Sequence, residues 1–486
     1  MSTQFDVKNP KTMAFILMLG AFLGLFGETA LNMALSNIME EFSVTAATAQ
    51  WLTTGYLLVL AILVPISALL MKWFTTRQLV VGGLLISMLG ALFAAMSLNF
   101  GMLLLGRIIQ AMGTGILLPV MLNVVLLIFP VHKRGIVMGL MGLVITLGPA
   151  LGPTLSGVII STLGWSYIFW ISAAFYVLLT LAAAAKIVNV SEITKPSIDV
   201  TSIVLSTIGF GGLIYALATM AEVSFSSPQV WGPLAVGLIS LFLFGRRQTR
   251  MDEPMVNLSV FKYPMFSLGT AIMFLSILII LATGILLPLY LKGALLFSAA
   301  AAGLMLLPGN AVNVILSPIV GSLFDKFGAR YFVISGFVLV IIGNLGFLTV
   351  LSSTTPAWQI IVSFMVLFFG LTMVTMPAQT NGLNQLPREL YADGSAAMNT
   401  LNQVAGAAGT AISITLFTIG QNGYLVDFPD AAQPDVLATG VRYSFYFITG
   451  ISVVGLICAL FVKKPSEVEA KGKAPAAVKK TATARR

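Results

Sequence analysis

Apolar residues run through this chain in blocks of roughly twenty, the length an α-helix needs to cross a ~30 Å hydrocarbon layer. Charged residues gather in the short gaps between the blocks. Fourteen blocks meet the length, over 12–35, 50–71, 78–97, 102–127, 135–160, 165–187, 201–222, 230–246, 265–291, 298–322, 330–352, 357–380, 394–420 and 441–462. The pattern predicts an all-α polytopic membrane protein of about 14 transmembrane helices. An even number of crossings puts both termini on one side. The gaps holding Lys72 and Arg77, Lys133 and Arg134, Lys186 and Lys195, Arg246 and Arg247, Lys326 and Arg330, and Arg388 all alternate onto that side. The opposite gaps carry Glu40, Glu41, Asp427, Asp430 and Asp435, with little basic beyond Lys292 and Arg442. By the positive-inside rule the termini are expected in the cytoplasm, and the protein in the cytoplasmic (inner or plasma) membrane.

Composition agrees with the pattern. The chain is 58% hydrophobic and 9% charged over 486 residues, with a mean hydropathy of +0.99, whereas soluble domains carry about a quarter charged residues. The single cysteine, Cys458, excludes an intramolecular disulfide and reads as a small buried hydrophobe. The net charge of +9 is concentrated in the last residues, Lys463 to Arg486. A disordered basic tail that sets topology and touches anionic lipid is the expected reading, with no nucleic-acid partner. The apolar run after Lys8 and Lys11 is longer than a signal core and holds Glu28, so the first span is expected to be retained. No G-x-x-x-x-G-K-[ST] phosphate loop, metal-site spacing or hydrolase arrangement appears. An enzyme is therefore not expected, no cofactor is implied, and any work is expected to draw on an ion gradient.

Two features depart from plain apolar helix. Gly148-Pro149 and Gly152-Pro153 interrupt the fifth block. Proline there removes a backbone hydrogen bond, and glycine lets a neighbouring helix approach, so a bent helix at a close contact is predicted. The second feature is charge inside the membrane. Only Glu28 and Arg107 lie well within blocks, where an ionised group costs several kcal/mol unless a partner or a water-filled cavity receives it. At ~1.5 Å per residue, Glu28 lies about 6 Å and Arg107 about 9 Å from the outer face, similar depths. There is also an internal repeat: residues Pro65 to Arg77 and Pro318 to Arg330 align without a gap, as in transporters built from two related halves.

Several motifs resemble those of the major facilitator superfamily. Gly321-x-x-x-Asp325-Lys326-x-Gly328-x-Arg330 is similar to its cytoplasmic loop signature, and Arg107-Ile-Ile-Gln110-Ala-Met-Gly113-Thr-Gly115 to its fourth-helix signature. Gly148-Pro149-Ala-Leu-Gly152-Pro153 resembles the fifth-helix motif of its proton-coupled exporters. Thr29-x-x-Asn32-x-Ala34 and Gln50-Trp51-Leu-Thr-Thr54-Gly-Tyr56 resemble first- and second-helix motifs of the fourteen-helix drug:proton antiporter branch, which includes lincomycin- and quaternary-ammonium-type multidrug exporters. Two departures are visible. The acid position of the first helix holds Gly27, with Glu28 one place later, and the first-half loop has Ala68, Lys72 and Thr75 where the family has Gly, Asp and Gly.

The resemblance implies two six-helix bundles around a central cavity, an inserted helix pair, and rocking between the bundles. The expected division is a cytoplasmic N-terminus over 1–11, bundles over 12–190 and 265–462, the insert over 191–264 and the tail over 463–486. Because that fold places the first and fourth helices on one cavity, Glu28 and Arg107 are expected to interact, directly or through water, and to couple export of small amphipathic molecules to protons. Desolvation favours the protonated carboxylic acid and a nearby guanidinium the carboxylate, so modest helix motion shifts the balance. The cavity is expected to draw on Thr29, Asn32, Trp51, Gln110, Asn310, Asn313 and Gln379, the bundle interface on Gly148, Pro149, Gly152 and Pro153, and a cytoplasmic gate on Asp325, Lys326, Gly328 and Arg330. A dedicated exporter of a metabolite, lipid precursor or siderophore, and a non-transporting sensor or scaffold, remain alternatives.

Overall fold

The computed structural model describes residues 9–129, 131–190, 193, 199–220, 223, 227–251, 254, 256–387 and 390–462. Thirteen helices among them are long and apolar enough to cross a membrane, and a further long helix of 32 residues runs from Val131 to Thr162. In chain order the helices are α1 (Pro10–Ala30), α2 (Leu35–Phe42), α3 (Ala46–Trp73), α4 (Thr76–Ala95), α5 (Phe100–Ile128), α6 (Val131–Thr162), α7 (Tyr167–Lys186), α8 (Val200–Thr219), α9 (Pro228–Gln248), α10 (Pro264–Leu289), α11 (Ala299–Phe327), α12 (Ala329–Val350), α13 (Ala357–Asn384), α14 (Tyr391–Asp427) and α15 (Gln433–Leu460). The expected tail at 463–486 lies outside the described residues.

Helices α1 and α3 to α7 form one bundle and α10 to α15 the other. The bundles meet along two seams, α6 against α11 and α3 against α14. Helix α8 packs over the second seam, touching both α3 and α14, while α9 packs on α8. Burial follows this layout: in the most apolar 18-residue stretch of each, 78% of the first span is buried but only 22% of α9. A helix apolar on every side suits both positions, α1 facing protein and α9 presenting Trp231, Ile239 and Phe242 outward.

Helix ends are fixed by local chemistry. Thr75 and Gln78 form a reciprocal capping box at the start of α4, and Asn99 caps α5. Gly328 starts α12 with φ 77° and ψ 166°, a backbone conformation essentially reserved for glycine, which explains the glycine of the loop signature.

One expected helix is not continuous. The first span gives way to a 3₁₀ turn at Leu31–Met33 before α2 resumes. No proline or glycine lies at this break. Its polar groups bond to other helices, as described below. Helix α6 runs without interruption across both Gly-Pro pairs.

Candidate functional site

Pro153 has no N–H to offer the carbonyl of Pro149, four residues earlier in α6. In a membrane no bulk water replaces that bond. The Thr29 hydroxyl of α1 does, donating to Pro149 O at 3.1 Å. Gly152 makes the approach feasible, because a methyl group there would collide with the Thr29 hydroxyl. Gly148 has a similar role on the preceding turn, where a methyl group would stand 2.9 Å from Leu25 Cβ. The Gly-Pro pairs therefore form a docking face for α1. Farther along α6, Gly157 meets the backbone of Ala299 in α11, and Thr154 donates to Gly303 O at 3.0 Å, so the same helix also carries one seam between the bundles.

Arg107 is fully buried. Its Nη1 donates to Gln110 Oε1 at 2.7 Å, its Nε to Leu52 O at 3.4 Å, and its guanidinium carbon lies 4.2 Å from the centre of the Tyr56 ring. This stacking position suits a planar, weakly hydrated cation. Tyr56 is held in turn, its hydroxyl donating to Gly24 O at 3.0 Å and sharing a 2.7 Å hydrogen bond with Thr114. Arg107 Nη2 has no hydrogen-bond partner among the described residues.

Glu28 is also buried, and it stands in the field of Arg107. The two do not make an ion pair; among the described residues that contact occurs only between Arg247 and Asp199. Helix geometry explains the separation. It is position 27 that faces α5: a methyl group at Gly27 would lie 3.7 Å from Arg107 Nη1 and 3.4 Å from Gln110 Nε2. Glu28 is turned about 100° from it around α1.

The other expected cavity residues divide. Asn32 is buried and fully engaged, donating to Gly284 O at 3.1 Å and accepting from Thr53 at 3.0 Å. Trp51 packs on Tyr215 of α8, 5.7 Å between ring centres, so it faces the inserted pair. Gln110 belongs to the Arg107 cluster. In the second bundle, Asn313 accepts from Thr372 at 2.9 Å, Asn310 is buried on α11, and Gln379 is partly buried on α13. Of the loop signature, Gly328 and Arg330 open α12, while the side chains of Asp325 and Lys326 lie outside the described ones.

Three contributors were not singled out from the sequence. Tyr56 closes the Gln50–Tyr56 stretch, whose sequence gives it no role of its own. Lys292, read only as a loop charge, donates to Met33 O at 2.8 Å and to Asn37 across the bundles. Pro288 carried the one advance signal for the Asn32 contact, since a proline in an apolar run leaves a carbonyl seeking a donor.

Comparison with known proteins places this arrangement. The chain is 51% identical to the lincomycin resistance protein LmrB of Bacillus subtilis over 454 residues, covering 92% of this chain and 95% of that one. It is 50% identical to the protein of the same name from Listeria innocua, covering 93% and 96%. Among solved structures, the peptide transporter POT in complex with sulfate superposes with a TM-score of 0.67 at 15% identity over 92% of this chain and 92% of that one, a likeness of fold. Residues 17–410 match the profile of the Major Facilitator Superfamily. The two six-helix bundles, the inserted pair and this match together make the chain a member of the Major Facilitator Superfamily, a family of transporters and not of enzymes.

Proposed function

We propose that the protein exports amphipathic toxic compounds or antibiotics in exchange for protons, from a cytoplasmic membrane in which both termini face the cytoplasm. The observation that carries the reading is the 51% identity, over nearly the whole length of both chains, to a protein named for lincomycin resistance. Glu28 is the proposed proton carrier. It is a buried carboxyl in the field of a buried guanidinium that retains an unshared N–H, and it has no fixed counter-ion of its own. Such a group responds to small changes in its surroundings by taking up or releasing a proton. Protonation from the outside and release to the inside alternate with outward passage of substrate, and a cationic substrate competes with the proton for the same carboxylate.

Asn310, Asn313 and Gln379 are proposed to line the substrate path. Asp325, Lys326, Gly328 and Arg330 are proposed to close the cytoplasmic end, and Gly148, Pro149, Gly152 and Pro153 to hold α1 against α6 through the cycle. Efflux measured in inverted vesicles with an imposed pH gradient, using lincomycin and lipophilic cations, tests the reading. Glu28→Gln is expected to abolish proton-driven transport while substrate exchange in the absence of a gradient persists. Full proton-driven transport by that variant would remove Glu28 from the mechanism.

A further inference from the structure

Pro288 does to α10 what Pro153 does to α6. It offers no N–H to the carbonyl four residues back, here that of Gly284. Within the membrane such a carbonyl needs a donor from another helix. The donor is Asn32 Nδ2, at 3.1 Å. Thr29, in the last turn of α1, and Asn32, in the 3₁₀ turn that follows, thus each serve a carbonyl released by a proline, and they do so on opposite sides. Thr29 reaches α6 of its own bundle and Asn32 reaches α10 of the other. The Asn32 amide is oriented from behind by Thr53 of α3, which donates to its Oδ1 and leaves Nδ2 to point across. Where α1 passes into its 3₁₀ turn, Lys292 also crosses from the second bundle to Met33 O.

We infer that Asn32 is a latch between the bundles: its amide, bonded to the proline-freed carbonyl of Gly284, holds this end of the molecule closed, and the bond breaks each time the bundles part here. This rests on the alternating-access reading above. Asn32 is then a positioning residue for the transport cycle and not a contact for substrate, since both ends of its amide are occupied in the closed arrangement. The strength is suited to the task. One neutral hydrogen bond has a modest net worth, corresponding to roughly a fivefold bias in population, enough to favour closure without locking it. In the open arrangement the carbonyl faces a water-filled cavity, where hydration replaces the amide.

Spin-label distances in the full-length protein in lipid nanodiscs test the latch. Labels at Leu98→Cys and Val426→Cys, in a Cys458→Ser background, sit on exposed positions of the two bundles at this end, 88% and 79% accessible. Asn32→Leu is expected to raise the long-distance, open population about fivefold. Pro288→Ala restores an N–H to α10 and satisfies Gly284 within its own helix. Asn32→Leu is therefore expected to have little further effect in that background. Thr29→Val, whose lost bond does not cross the bundles, is expected to leave the distances unchanged. An unchanged distribution in a well-folded Asn32→Leu protein, equal effects of Asn32→Leu with and without Pro288→Ala, or an equal shift from Thr29→Val would each overturn the proposal. The distances are read without substrate or gradient, so they stand or fall separately from proton coupling, which Glu28→Gln reports.

Discussion

The two seams between the bundles are built on different principles. Along α6 and α11 the backbones themselves touch. Gly157 lies against the Ala299 carbonyl, a methyl group at Gly303 would sit 2.7 Å from Pro153 O, and Thr154 bonds to Gly303 O. Along α3 and α14 the contact is made by side chains, with Leu57 and Ala61 against Val404 and Ala407 and a 2.9 Å hydrogen bond between Thr54 and Thr410. Ile214 of α8 joins the same apolar cluster, so the second seam is covered by the inserted pair and the first is not. A backbone-to-backbone contact has no rotamers with which to absorb an added atom, whereas a side-chain contact can repack. The first seam is therefore the one whose geometry the bundles must respect, and the second is the one able to repack.

The sharpest way to break this contrast is Gly157→Leu. Its side chain meets backbone on the facing helix, and overpacking of that kind costs about 1–3 kcal/mol with loss of the close approach. Transport is expected to fall at least tenfold while the amount of protein in the membrane changes little; efflux assays beside quantitative immunoblots read both. Equal loss of the two would reduce the seam to plain packing. A smaller effect is expected on the other side. Thr54→Val removes one hydrogen bond from a seam that can repack, a cost of about 0.5–1.5 kcal/mol, visible as a modest fall in melting temperature in detergent with transport largely retained.

The smallest effect belongs to the end of the insert where α8 begins and α9 stops. Asp199 caps α8 and takes a bidentate contact from Arg247 of α9, and these hydrogen bonds hold its carboxyl down at about 2, below the ordinary 3.8. A lowered value means that its contribution is complete above pH 3.8 and is lost as the pH falls toward 2. Exposed pairs of this kind contribute little. Asp199→Asn is expected to leave the melting temperature between pH 5 and 8 within the scatter of repeats, and to flatten only the acid limb below pH 4. A large loss at neutral pH would show that the insert depends on its surface pair and not on the apolar cluster over the second seam.

Much of this was legible along the chain because the membrane leaves few choices. Apolar blocks of spanning length had to be helices, and of the fourteen in the sequence thirteen satisfy length and hydropathy among the described residues, with α6 alongside. The Gly-Pro pairs announced a close contact, and buried charge singled out Glu28 and Arg107, because each is costly in a bilayer without a specific reason. What the sequence could not carry is direction. Whether position 27 or 28 faces Arg107 depends on the rotation of α1 against α5, set by packing along the whole helix. That Thr29 and Asn32 answer carbonyls freed by Pro153 and Pro288, the latter over 250 residues away, depends on which helices lie side by side. Helix formation is a matter of local hydrogen bonds and apolar length, and so it is written in the order of residues. The pairing of an orphaned carbonyl with its donor is a matter of distance in space, and only the packed bundles decide it.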